Sequence, residues 1–222
     1  MSVASRARVH AALGDETRLR AVDELWLGDR TPAELGGMLG IDSNLLSHHL
    51  DVLEDAGAVS RHVSAGDGRR RYVRVNADVV GDFLPGRRLN AGSVLFVCTH
   101  NSARSQFAEA VLRSSTGVGV ESAGLHPASV VHPKAIRVAM EHGLDLSRAV
   151  PRSYEEVETT PDLVVSVCDR ACEAPLPFMA ERLHWSIPDP VETGRLDGFR
   201  RAFDDISRRV ELLAAAIEQE DP

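Results

Sequence analysis

The feature that most constrains the fold is a cysteine and an arginine placed between an apolar run and a helical pattern. The apolar run Ser93 to Val97 leads directly into Cys98, and Arg104 and Ser105 follow at the start of a helix-forming segment. In such a strand–loop–helix turn, the backbone N–H groups of the loop and of the first helical turn converge on one point, which suits a tetrahedral oxyanion. A guanidinium adds a charged, two-pronged donor there.

This loop also predicts a reaction. Its donors stabilise a thiolate, so we expect Cys98 to act as a nucleophile, with Ser105 donating to its sulfur. The leaving oxygen needs a proton donor, and Asp189 lies in a Pro-Asp-Pro turn after the last predicted strand. An aspartate between prolines is also a common turn residue, so both interpretations stay open. The residues expected to bind the substrate are Thr99, His100, Asn101, Ser102, Ala103 and Ser105.

The composition limits the class of protein. Of the 222 residues, 43% are hydrophobic and 26% are charged, which is ordinary for a globular protein. No segment approaches the ~18 apolar residues of a membrane span, and the N-terminus lacks the pattern of a secretory signal. Three cysteines are too few for a secreted disulfide framework. We therefore expect a cytoplasmic protein without a membrane partner.

The chain divides in its first half. A stretch with a proline, two glycines and polar residues separates two apolar runs, which is typical of a linker. We predict a first domain over residues 1–84, a linker over 85–92 and a second domain over 93–222. The net charge of −8 is unevenly shared, because residues 1–90 carry 12 basic and 13 acidic residues whereas residues 91–222 carry 13 and 20.

The first domain has a helical pattern followed by a hairpin pattern. Helices are predicted over 4–13, 15–27, 31–39 and 42–56, and strands over 58–63 and 70–75. This order is a helix-turn-helix with a β-wing, in which the last helix can enter the major groove of DNA. The candidate DNA-binding residues are Ser43, Asn44, Ser47 and His48 on that helix and Arg69, Arg70 and Arg71 in the wing.

The second domain alternates strands with helices. Strands are predicted over 93–97, 119–122, 163–167 and 183–186, and helices over 103–114 and 133–142. A closing amphipathic helix places apolar residues at steps of three and four, namely Phe199, Phe203, Ile206, Val210, Leu213 and Ile217. Such alternation predicts an α/β fold with a parallel sheet covered by helices.

Residues 8–83 resemble the ArsR/SmtB family of winged-helix repressors. The resemblance rests on LGDETRLRAVDELW (13–26) and SNLLSHHLDVLEDAGAV (43–59). It implies a homodimer, formed through the terminal helices of this domain, that binds a palindromic double-stranded DNA operator. Arsenite-sensing members carry a Cys-x-Cys pair where this sequence has Thr31 and Ala33. Because trivalent arsenic needs soft thiolates, the first domain cannot sense arsenite by that site.

Two adjacent histidines on the predicted recognition helix raise the question of a metal. His48 and His49 point about 100° apart on a helix, which favours a DNA-facing or structural role. The pair Cys168 and Cys172 lacks the two further ligands that a zinc site needs. No metal site is predicted.

Residues 93–219 resemble the low-molecular-weight tyrosine phosphatase fold and, within it, the arsenate reductases. The likeness to the reductases rests on RSQFAEA after the loop and on SAGLHPASVVHPKAIRVAMEHGLDLS (122–147). It rests also on Val191, where phosphatases usually have tyrosine, and on Cys168 and Cys172 after the third strand.

This resemblance implies an order for the cysteines. Cys98 attacks arsenate, Asp189 protonates the departing oxygen, and Cys168 attacks Cys98 to release arsenite and leave a disulfide. Cys172 then resolves that disulfide, and thioredoxin or a comparable partner reduces the product. Family members usually leave a longer gap between the last two cysteines, whereas only three residues separate them here. Alternatively, a small thiol, as in a glutaredoxin-like system, attacks the Cys98 adduct and leaves Cys168 or Cys172 as a bystander.

Three functional hypotheses remain open at this point. The first is an arsenate reductase, without a tightly bound cofactor, fused to a DNA-binding regulator module. The second is a low-molecular-weight protein tyrosine phosphatase, which needs Cys98, Arg104 and Asp189 but neither of the other cysteines. The third is a transcriptional regulator that uses the second domain to respond to an oxyanion or to oxidation.

Overall fold

The computed structural model describes residues 2–81 and 88–217. These residues form two compact units, which are described separately. The first comprises the described residues up to 81 except 65–67, and the second comprises 88–217 together with 65–67. Residues 85–87 of the predicted linker lie outside the described residues.

The first unit is a bundle of short helices with a two-stranded hairpin. Its elements are α1 (Val3–Leu13), α2 (Glu16–Leu25), α3 (Pro32–Leu39), α4 (Ser43–Asp55), β1 (Val59–Val63), β2 (Arg71–Val75) and α5 (Ala77–Val80). The strands β1 and β2 pair antiparallel. The four predicted helices and two predicted strands are present, and their ends differ from the prediction by at most two residues. The short helix α5 was not predicted.

Polar caps and a glycine set the two ends of α3 and the start of α4. The Thr31 side chain accepts a hydrogen bond from the Glu34 N–H, and the Glu34 carboxylate accepts one from the Thr31 N–H. Gly40 ends α3 in the left-handed conformation at φ 69°, which glycine adopts without strain. The Asp42 carboxylate then caps α4 at the N–H groups of Asn44 and Leu45. Local sequence therefore sets where the second helix of the pair begins.

The second unit is a parallel sheet with helices around it. Its elements are β3 (Ser93–Cys98), α6 (Arg104–Ser115), β4 (Gly119–Gly124), α7 (Pro133–Glu141), β5 (Leu163–Ser166), α8 (Asp169–Glu173), β6 (Glu181–His184), α9 (Pro190–Thr193) and α10 (Leu196–Ala216). The strand order is β4-β3-β5-β6, and every neighbouring pair is parallel. The predicted α/β class is confirmed.

The prediction placed the last strand two residues too late. The apolar residues within 183–186 suggested a strand, and they are buried. The strand pairing itself begins earlier, at Glu181 and Arg182, which are exposed. The helices α8 and α9 were also missed, because five and four residues are too few to show helical periodicity. The amphipathic stripe of α10 is present, with Phe199, Ile206 and five further apolar side chains buried.

Parallel strands bring their carboxyl ends to one edge of the sheet. Cys98 ends β3, Cys168 follows β5, and Asp189 follows β6 after a short connection. The fold therefore brings these three sequence-distant residues to the same edge. Within residues 2–81 and 88–217, no helix combines the length and the apolar character that a bilayer crossing requires.

Candidate active site

The loop between β3 and α6 is held from outside through its carbonyl groups. Four N–H groups of residues 125–132 donate to them: Leu125 to Cys98, His126 to Thr99, Ala128 to His100 and His132 to Ser102, at 2.8–3.1 Å. On the inner side of the loop, the Asn101 N–H points to the Cys98 sulfur at 3.1 Å. The first turn of α6 adds further N–H groups, because its N-cap residue Ala103 provides no side-chain cap.

Asn101 shapes the loop from within. It is completely buried and adopts a positive φ of 48°. Its Nδ2 group donates to Ser105 Oγ and Ser122 Oγ, both at 2.8 Å. Its Oδ1 atom accepts from Gln106 Nε2 at 3.1 Å and from the Arg152 N–H at 3.0 Å. The Asn101 side chain, predicted to bind substrate, thus bonds to the protein itself.

The end of β4 presses against the loop. A Cβ atom on Gly124 would lie 2.9 Å from the Asn101 nitrogen and 3.0 Å from the His100 carbonyl carbon. Both are backbone atoms, which have little freedom to move. Sequence reasoning missed Gly124, Ser122 and Arg152 as supports of the loop, because they contact it only through the folded structure.

The thiol of Cys98 sits at the base of the loop and is 3% exposed. Its Sγ atom accepts a hydrogen bond from the Asn101 N–H at 3.1 Å and lies 3.1 Å from Ser105 Oγ. Both groups can donate to a thiolate. The predicted contact between Ser105 and the sulfur is present.

Arg104 links the loop to the segment that carries Asp189. Its Nη1 atom donates to the Ile187 carbonyl at 2.8 Å, and its Nη2 atom donates to Asp189 Oδ2 at 2.7 Å. The other Asp189 oxygen accepts from the Val191 N–H and so caps α9. This ion pair holds a carboxyl group beside the loop, where an acid is needed to protonate a leaving oxygen.

Cys168 lies against the loop from the neighbouring strand. It is 3% exposed, and its Sγ atom is 3.4 Å from Thr99 Oγ1. Burial raises the pKa of the Cys168 thiol, and the charge of Cys98 raises it further, while Arg104 partly opposes both. Cys168 is therefore protonated at neutral pH in the resting protein. The structure brings Cys98, Arg104, Asp189 and Cys168 together.

The third cysteine lies one helical turn further on. Cys172 belongs to α8, is half-buried, and donates its N–H to the Cys168 carbonyl at 3.1 Å. None of the three cysteines forms a disulfide. Cys172 is thus close to Cys168 along the helix.

The other loop side chains differ in their surroundings. His100 is exposed, and its Nδ1 atom lies 2.9 Å from the His126 carbonyl oxygen. Ser102 is half-buried and Ala103 is buried. These residues contribute to the loop through their backbone. In the described part of the chain, no group of three or more His, Cys, Asp or Glu side chains is arranged to hold a metal ion.

The predicted DNA-binding residues are on the surface of the first unit. The side chains of α4 and of the wing that were named from the sequence are all exposed: Ser43, Asn44, Ser47, His48, Arg69, Arg70 and Arg71. His49 is instead buried, and its Nδ1 atom lies 3.6 Å from Asp15 Oδ1. The two adjacent histidines therefore occupy different faces of α4.

Two family models match the chain. Residues 93–222 match the model described as low molecular weight phosphotyrosine protein phosphatase. Residues 15–61 match the model described as bacterial regulatory protein, arsR family. The predicted combination of a winged helix-turn-helix with a phosphatase-like α/β domain is confirmed.

Similar proteins cover the second unit almost completely. An arsenate reductase of Halalkalibacterium halodurans is 34% identical in an alignment of 136 positions that covers 57% of this chain and 97% of that protein. A glutaredoxin arsenate reductase of Synechocystis sp. is 33% identical in an alignment of 129 positions that covers 56% of this chain and 97% of that protein. The crystal structure of an arsenate reductase from Archaeoglobus fulgidus is 35% identical, with a TM-score of 0.51, covering 55% of this chain and 98% of that one.

Proposed function

The chain belongs to the low molecular weight phosphotyrosine protein phosphatase family, and within that fold we propose that its second unit reduces arsenate to arsenite. The substrate binds in the loop between β3 and α6, which we call the oxyanion loop. The observation that carries this proposal is the buried thiol of Cys168 beside the loop, 3.4 Å from Thr99. Hydrolysis of a phosphate ester needs only Cys98, Arg104 and Asp189, whereas reduction needs a second thiol. The arsenate reductases that match most of the second unit support this choice.

The first step is the capture of arsenate. The loop N–H groups and Arg104 hold the oxyanion, and the Cys98 sulfur attacks the arsenic atom. A sulfur–arsenic bond forms and an arsenic–oxygen bond breaks. Asp189, held beside the loop by the Arg104 guanidinium at 2.7 Å, takes a proton from a hydroxyl of the bound hydrogenarsenate and passes it to the departing oxygen, which leaves as water.

The second step reduces the arsenic. The Cys168 sulfur attacks the Cys98 sulfur, so that a sulfur–sulfur bond forms and the sulfur–arsenic bond breaks. The bonding electron pair stays on arsenic, which leaves as arsenite, and the Cys168 proton passes to an arsenite oxygen. Two thiols are thereby oxidised to one disulfide while arsenic(V) becomes arsenic(III).

The electrostatics of the site favour this order of steps. Burial is the main cause of the raised pKa of Cys168, and the charge of Cys98 adds to it. Once Cys98 is bonded to arsenic, the contribution of its thiolate is lost, while burial still raises the pKa. Loss of that contribution makes the Cys168 thiolate easier to form after the substrate is bound.

The third step regenerates Cys98. Cys172 attacks Cys168, frees Cys98 and leaves a disulfide between Cys168 and Cys172. Side chains one helical turn apart have Cβ atoms about 5–6 Å apart, whereas a disulfide needs about 3.5–4.5 Å. α8 must therefore unwind locally for this step. An external small thiol that attacks the Cys98 adduct is the competing route.

Turnover with defined reductants tests this proposal. Arsenate-dependent oxidation of reducing equivalents is measured with thioredoxin and its reductase, and separately with a small thiol and glutaredoxin. If the three steps form a relay through Cys98, Cys168 and Cys172, then Cys98→Ser, Cys168→Ser and Cys172→Ser each abolish turnover with thioredoxin. Turnover only with the small thiol, unchanged in Cys172→Ser, rejects the relay and keeps the loop chemistry. Hydrolysis of a phosphate ester without arsenate turnover establishes the phosphatase instead.

We also infer that the first unit binds double-stranded DNA as a homodimer. Its match to the arsR family model and the exposure of the polar side chains at the start of α4 support this inference. A helix-turn-helix dimer places two recognition helices in successive major grooves. Sedimentation of the chain at micromolar concentration tests the dimer, and a monomer at that concentration contradicts it.

A further inference from the structure

A cluster of four polar residues lies buried beneath α8. Ser166 ends β5, Asp169 begins α8, His184 ends β6, and Ser186 follows it. Each of them is at most 6% exposed. The steps proposed above use none of these side chains, yet the cluster adjoins α8, which contains Cys172 and has Cys168 as its N-cap.

Hydrogen bonds connect the cluster into one network. His184 Nε2 lies 3.1 Å from Asp169 Oδ1, and His184 Nδ1 lies 3.0 Å from Ser166 Oγ. Burial acts to raise the pKa of Asp169, but the hydrogen bonds to its carboxylate, among them those from His184 and Ser186, and the charge of His184 together lower it. Asp169 is therefore a carboxylate, and His184 Nε2 carries the proton that it donates.

The position of this bond relates it directly to Cys168. Asp169 is the next residue after Cys168 and the first residue of α8. A helix of five residues is too short to be stable by itself. The N-cap of α8 is Cys168, which provides no side-chain cap. The bond from Asp169 to His184 thus anchors the first turn of α8 to the sheet.

Stability alone does not account for such a pair. A buried ionic hydrogen bond costs desolvation and is often no more stabilising than apolar residues of similar volume. What it adds is a defined orientation, because the two groups meet in one geometry. That geometry fixes the residue adjacent to the attacking thiol.

We propose that Asp169 and His184 are positioning residues that hold Cys168 in line for attack on the Cys98 sulfur. This inference rests on the proposed function, since it concerns the disulfide-forming step. The hydrogen bonds described for His184 go to Asp169 and Ser166, so we expect binding of the substrate not to depend on the pair. Loss of this pair is therefore expected to slow formation of the Cys98–Cys168 disulfide and to leave oxyanion binding unchanged.

Two variants of His184 separate positioning from simple packing. His184→Leu removes the donor, whereas His184→Gln can place an amide N–H near the position of Nε2. Each protein is made in a Cys172→Ser background, so that Cys172 cannot resolve the disulfide. It is mixed with arsenate without reductant, quenched with an alkylating agent, and analysed by mass spectrometry for the disulfide between Cys98 and Cys168. Binding of inorganic phosphate, measured by calorimetry, reports on the loop independently.

We expect His184→Leu to form the disulfide on the order of tenfold to a hundredfold more slowly, because misplacing a reacting group by about 1 Å has effects of that size. Phosphate affinity stays unchanged, and His184→Gln recovers most of the rate. An unchanged rate in His184→Leu overturns the inference. So does a parallel loss of phosphate binding, which would give the pair a general structural role.

Two controls keep the outcome decisive. His184→Leu leaves a carboxylate buried without its histidine, so the double variant Asp169→Asn, His184→Leu is tested beside it and should show the same slow step. If the unsubstituted protein forms no disulfide with arsenate, the proposed function fails. The pair is then tested by diamide oxidation, in which the same rate loss is expected and an unchanged rate overturns the inference.

Discussion

At the scale of single residues, the loop depends on one glycine that lies outside it. Gly124 ends β4, and a Cβ atom there would meet the backbone of Asn101 and His100 at 2.9 and 3.0 Å. Overpacking against atoms that do not yield costs about 1–3 kcal/mol and shifts the backbone. The shape of the loop is thus set partly by a residue of the neighbouring strand.

We expect Gly124→Ala to weaken the binding of inorganic phosphate by about tenfold or more, because 1.4 kcal/mol corresponds to a factor of ten. Isothermal titration calorimetry measures this affinity. Gly119→Ala on the same strand is the matched control, since its Cβ atom would have no neighbour closer than 3.5 Å. Equal affinities of the two variants would show that Gly124 does not shape the loop.

The two cysteines after β5 should differ in reactivity. Cys168 is buried with a raised pKa, whereas Cys172 is half-buried. We expect iodoacetamide at pH 7 to alkylate Cys172 about tenfold faster than Cys168 in the reduced protein, because the thiolate is the reacting form. The rate at Cys168 rises with pH, since its thiol ionises above the ordinary range.

Peptide mass spectrometry over a time course measures both rates. The protein unfolded in urea serves as the reference, in which burial no longer separates the two cysteines. Similar rates in the folded protein would contradict the raised pKa of Cys168.

At the scale of elements, the sequence predicted the helices that are long enough to show apolar periodicity and missed the short ones. The helices α2, α4, α7 and α10 show apolar periodicity. Residues such as Thr31 and Asp42 cap the helices that follow them. The helices α8 and α9 have only five and four residues, which are too few to show apolar periodicity. The loop could be predicted because Cys98 and Arg104 are close in sequence, whereas the contacts from Ser122, Gly124 and His184 arise only when distant segments meet.

The short helix α8 should lose structure as the relay proceeds. In the reduced protein the Cys172 N–H is bonded to the Cys168 carbonyl. A disulfide between these cysteines requires their Cβ atoms to approach by about 1–2 Å, which an intact helical turn does not allow. We expect the amides of α8 to exchange hydrogen faster after one turnover without reductant.

Hydrogen exchange followed by mass spectrometry measures this change, and the amides of α6 serve as the internal control. Unchanged protection of α8 in protein shown to contain the disulfide between Cys168 and Cys172 would contradict local unwinding.

At the scale of the whole molecule, a DNA-binding function predicts a salt dependence. Arg69, Arg70 and Arg71 are exposed in the wing. Each lost phosphate contact lowers the slope of log affinity against log salt by about 0.9. We expect the triple alanine variant of the full chain to bind a fluorescent duplex of arbitrary sequence more weakly, with a smaller slope in fluorescence anisotropy.

Arg61→Ala is the matched control for this experiment. Arg61 lies in the same hairpin, its side chain is only 24% exposed, and its guanidinium is paired with Asp51 at 2.8 Å and with Glu54 at 3.2 Å. Its slope should stay close to that of the unsubstituted chain. A triple variant with an unchanged slope would remove the wing from the DNA interface.

The most direct test of the central claim is a single turnover of the reduced protein with arsenate and no external reductant. We expect about one arsenite released and one disulfide formed per chain, because two thiols supply the two electrons. Cys98→Ser and Cys168→Ser should release no arsenite. Arsenite release without a protein disulfide, or no arsenite at all, would contradict an arsenate reductase that works through Cys98 and Cys168.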